Sequence, residues 1–423
     1  MIASSVPITT DIVLVGGGHS HVEVLRRFAM QPQPGVRLTM IARDVDTPYS
    51  GMVPGYFAGH YTREDCHIDL RPLCIAAGAR LYHASASGID PRAQTVEVEG
   101  RPPVPYDFLS IDIGSVPDSS ILPGAGAHTI PVKPIDRLLA SVAGIEAEFE
   151  RNREAMRIAV IGAGAGGIEL TLALHHRLTA GGVAPEFIVL DAAPVILPTH
   201  ASGARRAIGR TLMARGIEVR LNAPVASVEA DRLVLDSGET VAFDHAILVS
   251  GASAAPWLAA SGLSLDARGF VRIDGTLRSV SHPAIFAAGD IASFDQRPLA
   301  KSGVYAVKQG PVLAKNLRRA ALGQALVRFR PQRHALALIA TGPKHAVASR
   351  GPFALSGRYL WNLKDRIDRR FMEKYADLPP MRTLESARDE DPFAEMRCGG
   401  CGAKIGRDVL ARVLARISGF SGA

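Results

Sequence analysis

Four cysteines in 423 residues are too few for a disulfide framework, so a reducing cytoplasm is the expected compartment. No stretch of roughly eighteen apolar residues runs without a charge or a breaker, which excludes a spanning helix. The opening residues, MIASSVPITTD, have no basic leader and no long apolar stretch, and no signal peptide is expected. Basic clusters are missing as well. Lys and Arg number 48 against 41 Asp and Glu, a net charge of only +7, which gives no reason to expect a nucleic-acid partner. What remains is a globular composition, 47% hydrophobic and 21% charged, and enough length for about three domains. Glycine is abundant, with 41 residues. Its clusters mark where backbone must approach something closely.

The first cluster follows a short apolar run. Asp11-Ile12-Val13-Leu14-Val15 reads as a buried parallel strand, Gly16-Gly17-Gly18-His19-Ser20-His21 as a tight turn, and Val22 to Phe28 as a helix. Such a turn gathers free amides and the positive end of a helix at one point, which suits a pyrophosphate. Gly16 and Gly18 fit the first two glycines of G-x-G-x-x-G; His21 holds the third position, where a side chain should push the helix off the strand. The second cluster is complete. Arg157 to Ile161 is a strand, Ile168 to Leu174 a helix, and Gly162, Gly164 and Gly167 satisfy the fingerprint between them. The next strand, Phe187 to Leu190, ends at Asp191, a carboxylate able to accept from an adenosine ribose and to favour NADH over NADPH. Arg205 and Arg206 lie downstream and weaken that preference. In the first half the matching strand, Leu38 to Ile41, ends at Ala42-Arg43, with Asp44 as the available substitute carboxylate. Two such turns in one chain point to a flavin enzyme served by a nicotinamide nucleotide.

Three further stretches complete a pattern. Asp107 to Ser115, containing Gly114, resembles the strand and turn closing the first half of a two-dinucleotide flavoprotein, and Phe243 to Ala252, containing Gly251, its counterpart in the second. Pro283 to Ala292 resembles the late FAD motif, a strand ending in Gly289-Asp290, whose Asp holds the ribityl or pyrophosphate region; the alternative for Asp290 is a helix cap. Residues 11 to 376 thus resemble the pyridine nucleotide-disulfide oxidoreductase superfamily, and its type II NADH dehydrogenase branch in particular. The resemblance implies an α/β fold of two Rossmann-like domains with the NAD domain inserted in the FAD domain, plus a C-terminal α+β segment. The expected boundaries are 1–125 and 266–325 for the two parts of the FAD domain, 126–265 for the NAD(P)H domain and 326–376 for a C-terminal interface segment. FAD and NADH are the implied cofactors, NADPH being possible. His19, Ser20, Arg43 and Pro54 join the glycines, Asp191 and Asp290 as expected cofactor contacts.

The redox cysteine pair of the disulfide-reducing members is missing. Pro48 to Gly55 carries none, and Cys66 and Cys74 lack redox spacing. Electrons are therefore expected to pass from flavin straight to a small-molecule acceptor. Tyr49 is expected to shape the flavin pocket or to be a core aromatic. Glu169, by resemblance, lies near the nicotinamide; its alternative is a carboxylate held by the helix dipole. The glutamine-rich stretch that type II enzymes place near quinone is replaced here by Val304 and Lys308, leaving only Gln309. Lys308 would stabilise reduced flavin or lie in solvent. Tyr359 to Met372 reads as a helix with Leu360, Leu363, Ile367 and Phe371 on one face and Arg366, Arg369, Arg370 and Lys374 on the other. It would contact a membrane surface peripherally, on the inner face, or pack on the FAD domain or a partner.

From residue 377 to 396 the sequence reads as a linker. Residues 397–423 follow, with Gly400-Cys401-Gly402-Ala403-Lys404 and then an amphipathic helix from Asp408. Cys398 and Cys401 have knuckle spacing but no second pair, so no metal site is expected. The stretch resembles the start of selenophosphate synthetase (selenide, water dikinase), with Cys401 and Lys404 at its reactive positions. Such a fusion implies that the flavoprotein serves a selenium or sulfur chemistry with a synthetase domain as partner; so short a fragment implies no kinase activity of its own. The competing readings are a sulfide-quinone-reductase-like enzyme and a non-enzymatic flavin-binding module. Nothing in the sequence sets the oligomeric state.

Overall fold

The computed structural model describes residues 6–117, 122–133, 135–152, 156–179, 185–249, 251–376 and 378. The expected linker and the Cys401–Lys404 motif lie outside the described residues.

The chain opens with strand β1 (Thr10–Val15), helix α1 (His19–Met30) and β2 (Val36–Ala42), continues through β3 (Arg80–His83) and reaches β4 (Phe108–Ile111). It then builds a second unit from β5 (Ile130–Pro131), α2 (Ile135–Asn152), β6 (Arg157–Ile161), α3 (Ala165–Leu178), β7 (Glu186–Leu190), β8 (Glu218–Arg220) and β9 (His245–Leu248). It returns with β10 (Ile285–Ala287) and α4 (Gly303–Ala321). A last antiparallel sheet of β11 (Ala337–Ala340), β12 (Ala346–Arg350) and β13 (Phe353–Gly357) leads into α5 (Arg358–Ala376).

Two five-stranded parallel sheets result, ordered β10-β4-β1-β2-β3 and β5-β9-β6-β7-β8. The strand that completes the first sheet comes after the second unit, so the second sheet is inserted in the first. The central strands are continuous apolar runs because helices cover both faces of a parallel sheet. Ile12 to Val15 and Ile158 to Val160 are at most 1% exposed. In each sheet the order reverses beside the first strand, β1 or β6, the place where open α/β sheets bind ligands at the carboxyl ends of their strands. Both glycine clusters sit at these two points.

Candidate functional site

The first turn begins as the sequence implies. Gly16 adopts a φ of +94°, and its amide donates to the Ile41 carbonyl at 2.8 Å. What fills the turn is unexpected. The carboxyl of Asp112, the residue after β4, lies in front of α1, where Oδ2 accepts from the amides of Ser20 (2.8 Å) and His21 (3.2 Å). A Cβ on Gly18 would lie 2.2 Å from Asp112 Cγ, and one on Gly289 would lie 2.3 Å from Oδ1. These two glycines, expected as phosphate or flavin approach points, make room for a carboxyl. Asp112 is 2% exposed, and burial pushes its acid up to about 7, the charge of Asp290 adding to the effect against the two amides. Sequence reading passed over it as part of a strand end.

His21 does not push the helix away. Its fully buried ring bridges Gly16 O (Nδ1, 2.7 Å) and Ser110 Oγ (Nε2, 2.8 Å). A carbonyl can only accept, so Nδ1 carries the proton and Nε2 accepts from the serine hydroxyl. Burial lowers the imidazole to about 4, and the ring stays neutral. The third glycine is thus replaced by a side chain that ties α1 and the turn to β4.

A cavity of about 510 Å³ opens at this end of the sheet, lined by Gly16 to His19, Arg43, Asp44, Ser50, Asp112, Gly114, Ser115, Lys133 and Asp290, among others. Nε2 of His19 is buried and meets no hydrogen-bond partner, and burial lowers this imidazole to about 4. Asp290 caps no helix; it sits in the short 3-10 turn Gly289–Ile291, where Lys133 Nζ reaches its Oδ2 at 3.1 Å and Ser115 Oγ at the same distance. Lys133, just after β5 at the edge of the second sheet, escaped sequence reading. Arg43 pairs with its neighbour Asp44 at 2.7 Å, and a Cβ on Gly114 would meet nothing within 4 Å. An orphaned imidazole nitrogen, a helix start and a crevice lined by both apolar and charged residues fit a flavin dinucleotide. Ser20, expected as a cofactor contact, does not line the cavity: its amide donates to Asp112 and its hydroxyl to Ala306 O, both at 2.8 Å.

The second turn matches the first in backbone. Gly162, at φ +121°, donates to Leu190 O at 2.8 Å, as Gly16 does to Ile41. Gly167 packs against the turn so tightly that a Cβ would lie 1.9 Å from Gly162 O, whereas one on Gly164 would meet nothing. Here the space in front of the helix is open. Asp191 is half-buried and accepts from the amides of Ala163 (2.5 Å) and Ala193 (2.7 Å), which fixes its carboxylate beside the turn. The residue after β9, equivalent to Asp112, is Val249.

Glu169, on the first turns of α3, is pinned across to the last sheet. Its Oε1 accepts from the amide of Ala340 at 2.7 Å. Loss of solvation pushes its acid up to about 7, against the pull of Lys364 and that amide. Lys364 and Asp368 on α5, 6% and 4% exposed, form a buried pair at 2.5 Å, and Lys364 also donates to Gly51 O. Neither was expected from sequence. The predicted apolar face of this helix is therefore rotated. Leu360 and Phe371 are buried as expected, with Trp361, Lys364, Asp368 and Tyr375 beside them, while Leu363 and Ile367 stand 42% and 45% exposed.

Several expected contacts lie elsewhere. Tyr49 is not a wall of the cavity. It stacks on Phe371 (4.2 Å between ring centres) and supports His19 edge-on (5.4 Å), and burial beside Asp368 raises its hydroxyl. Pro54 starts the short helix Val53–Phe57 and does not line the cavity. Lys308 is exposed on α4, outside the cavity. Its neighbour Gln309 is 3% exposed and accepts from the Gly289 amide at 2.7 Å, a structural use for the one glutamine left of that motif. Gly251 lies outside the cavity at φ +69°, before the short strand Ala252–Ser253. Cys66 and Cys74 are buried thiols that burial pushes up to about 12, and neither lines the cavity.

Comparison with known proteins bears on this architecture. An NADH dehydrogenase-like protein of Mycobacterium tuberculosis (strain CDC 1551 / Oshkosh) is 30% identical over 236 residues, 54% of this chain and 59% of that protein, less than two thirds of its length. A type II NADH:quinone oxidoreductase of Staphylococcus haemolyticus is 24% identical over 293 residues, 64% of this chain and 72% of that one. Among solved structures, the sulfide:quinone oxidoreductase of Aquifex aeolicus superposes with a TM-score of 0.74 at 17% identity, covering 87% of this chain and 91% of that one. NDH2 from Plasmodium falciparum in complex with NADH gives 0.74 at 13% identity, covering 88% and 99%. At such identities these structures share the fold: two parallel sheets, one inserted in the other. The sequence profile of the pyridine nucleotide-disulphide oxidoreductases matches residues 10–316, the span holding both glycine turns and the late Gly289-Asp290 motif, and the chain belongs to that family.

Proposed function

We propose that the chain is an FAD-dependent NADH oxidoreductase that passes electrons from flavin to an acceptor without a redox disulfide. The observation that carries this reading is the pair of equivalent glycine turns, one opening on the cavity with an orphaned His19 nitrogen, the other open in front of its helix with Asp191 beside it. FAD, held by the first turn, Gly114, Ser115 and Asp290, would supply hydride acceptance and electron donation. The protein's own share is position and protonation. Asp191 would hold the adenosine ribose of NADH. Glu169 keeps a proton near neutrality, and with Lys364 and Asp368 it forms a buried polar cluster between the second turn and α5. Lys133 offers a positive charge at the cavity wall, beside Asp290. Buried thiols at Cys66 and Cys74 weigh against chemistry of the sulfide:quinone type.

The acceptor is a quinone or a selenium or sulfur species. The resemblance of the Cys401–Lys404 stretch to selenophosphate synthetase supports the second, with a synthetase domain as partner. A specific observation supports an acceptor in a lipid surface: Phe353, Leu355, Tyr359, Leu363 and Ile367 on β13 and α5 are 76%, 61%, 57%, 42% and 45% exposed. No described helix is long and apolar enough to cross a membrane, so contact of this kind would be peripheral. The test is anaerobic mixing of the flavin-loaded protein with NADH, NADPH or sulfide while flavin absorbance is followed. Rapid bleaching by NADH is expected. Bleaching by sulfide and not by NADH, or by nothing, overturns the reading. A second mixing of the reduced protein with a short-chain quinone, selenite or polysulfide then ranks the acceptors.

A further inference from the structure

The charges around the first turn do not match its cargo. Five carboxyls line the cavity: Asp44, Asp46, Glu99, Asp112 and Asp290. Asp44 is paired with Arg43, Asp46 with Arg63 and Asp290 with Lys133. Asp112 has no ion-pair partner among the described residues; it meets the Ser20 and His21 amides at the start of α1, the atoms that a diphosphate would need. The groups that act on it are the Ser20 and His21 amides and Asp290, a like charge from the 3-10 turn that pairs with Lys133; the His21 imidazole is kept neutral by burial. A doubly charged diphosphate set against an ionised, buried Asp112 would place like charges in contact in a site of low polarity. The second turn has no such conflict, since Val249, with an uncharged side chain, stands where Asp112 does in the first.

We propose that Asp112 binds the cofactor diphosphate as a neutral carboxylic acid, donating its hydroxyl to a phosphate oxygen, so that FAD enters the first turn together with one proton taken from solvent. The proposal rests on the reading that FAD occupies the first turn. It gives that turn a proton-linked affinity that the second turn lacks. Burial has already raised this acid to about 7 in the free protein, and a bound diphosphate raises it further, so the linkage falls in the neutral range.

The test titrates FAD into the full chain stripped of flavin, following flavin fluorescence between about pH 6 and 9 and measuring proton uptake calorimetrically in two buffers of different ionisation heat. The expected Kd is flat at the acid end and rises about tenfold per pH unit above about 7, with about one proton taken up per FAD at pH 8. Asp112→Val, which copies the second turn, should bind with a flat profile and no uptake. A flat Kd with no uptake in the unaltered chain overturns the proposal, as does full uptake retained in Asp112→Val. If the variant does not fold, the titration of the unaltered chain decides alone. Absence of FAD binding at every pH overturns the cofactor reading itself, and the proposal with it.

Discussion

At the first glycine turn a carboxyl lies across the helix start and an imidazole replaces the third glycine; at the second, the space before the helix is open and the third glycine is packed against the turn. Yet two backbone hydrogen bonds of each turn have an equivalent in the other. Gly16 and Gly162 donate to Ile41 and Leu190, and Asp112 and Val249 donate to Val15 and Ile161, all within 2.8–2.9 Å. The strand order around the two turns is the same. The backbone scheme is therefore shared, and the side chains set the two turns apart.

Substitutions can break this contrast, and the largest effect is expected at Gly167. A Gly167→Val side chain meets the Gly162 carbonyl, which cannot move aside, so the second turn should be lost at a cost of about 3 kcal/mol or more. NADH would then no longer bleach the flavin while the flavin content stays normal; equal loss of both would show that the two sheets do not act separately. His21→Gly restores the fingerprint of the second turn in the first, and it should destabilise. It removes a buried ring and two hydrogen bonds, a loss of about 3 kcal/mol, and lowers the melting temperature and the flavin retained on purification. Unchanged stability would mean the ring is not a tie. Asp191→Ala should raise KM for NADH about tenfold, roughly 1.4 kcal/mol, with little change in kcat or flavin content.

The smallest effect is a pH profile. Glu169 is raised from 4.5 to about 7 in the folded chain, so the folded state binds the extra proton between those values. Its contribution to stability is full below about 4.5, falls as pH rises toward about 7 and is level above. Glu169→Gln should flatten that decline, and should also flatten any inflection near neutrality in the rate of flavin reduction by NADH. An inflection unchanged in the variant would assign the titration to another group.

Much of this arrangement was legible before the structure. The strands at 11–15 and 157–161, the helices after them and the late Gly289-Asp290 turn lie where apolar runs and glycines put them, because a buried parallel strand and a tight turn each leave a local signature. Long-range neighbours left none. Asp112 lies more than ninety residues from the turn it fills, and Lys133, just after β5 of the second sheet, meets Asp290 across 157 residues of sequence. The helix at 358–376 illustrates the same limit. Its apolar spacing marked a helix, but the buried face was turned toward Lys364 and Asp368, because a paired and hydrogen-bonded charge can be buried where periodicity would put a leucine. Tyr49 and Pro54, from the stretch after the second strand, and Lys308, at a position of the type II glutamine motif, do not line the cavity.

By itself, then, the sequence determined the two glycine turns and the α/β class, both of which rest on residues near one another in the chain. Only the tertiary structure decided what fills each turn, which carboxyls are neutralised and which apolar groups face outward. Those depend on contacts between segments that the fold alone brings together, in surroundings whose low polarity makes each unpaired charge count.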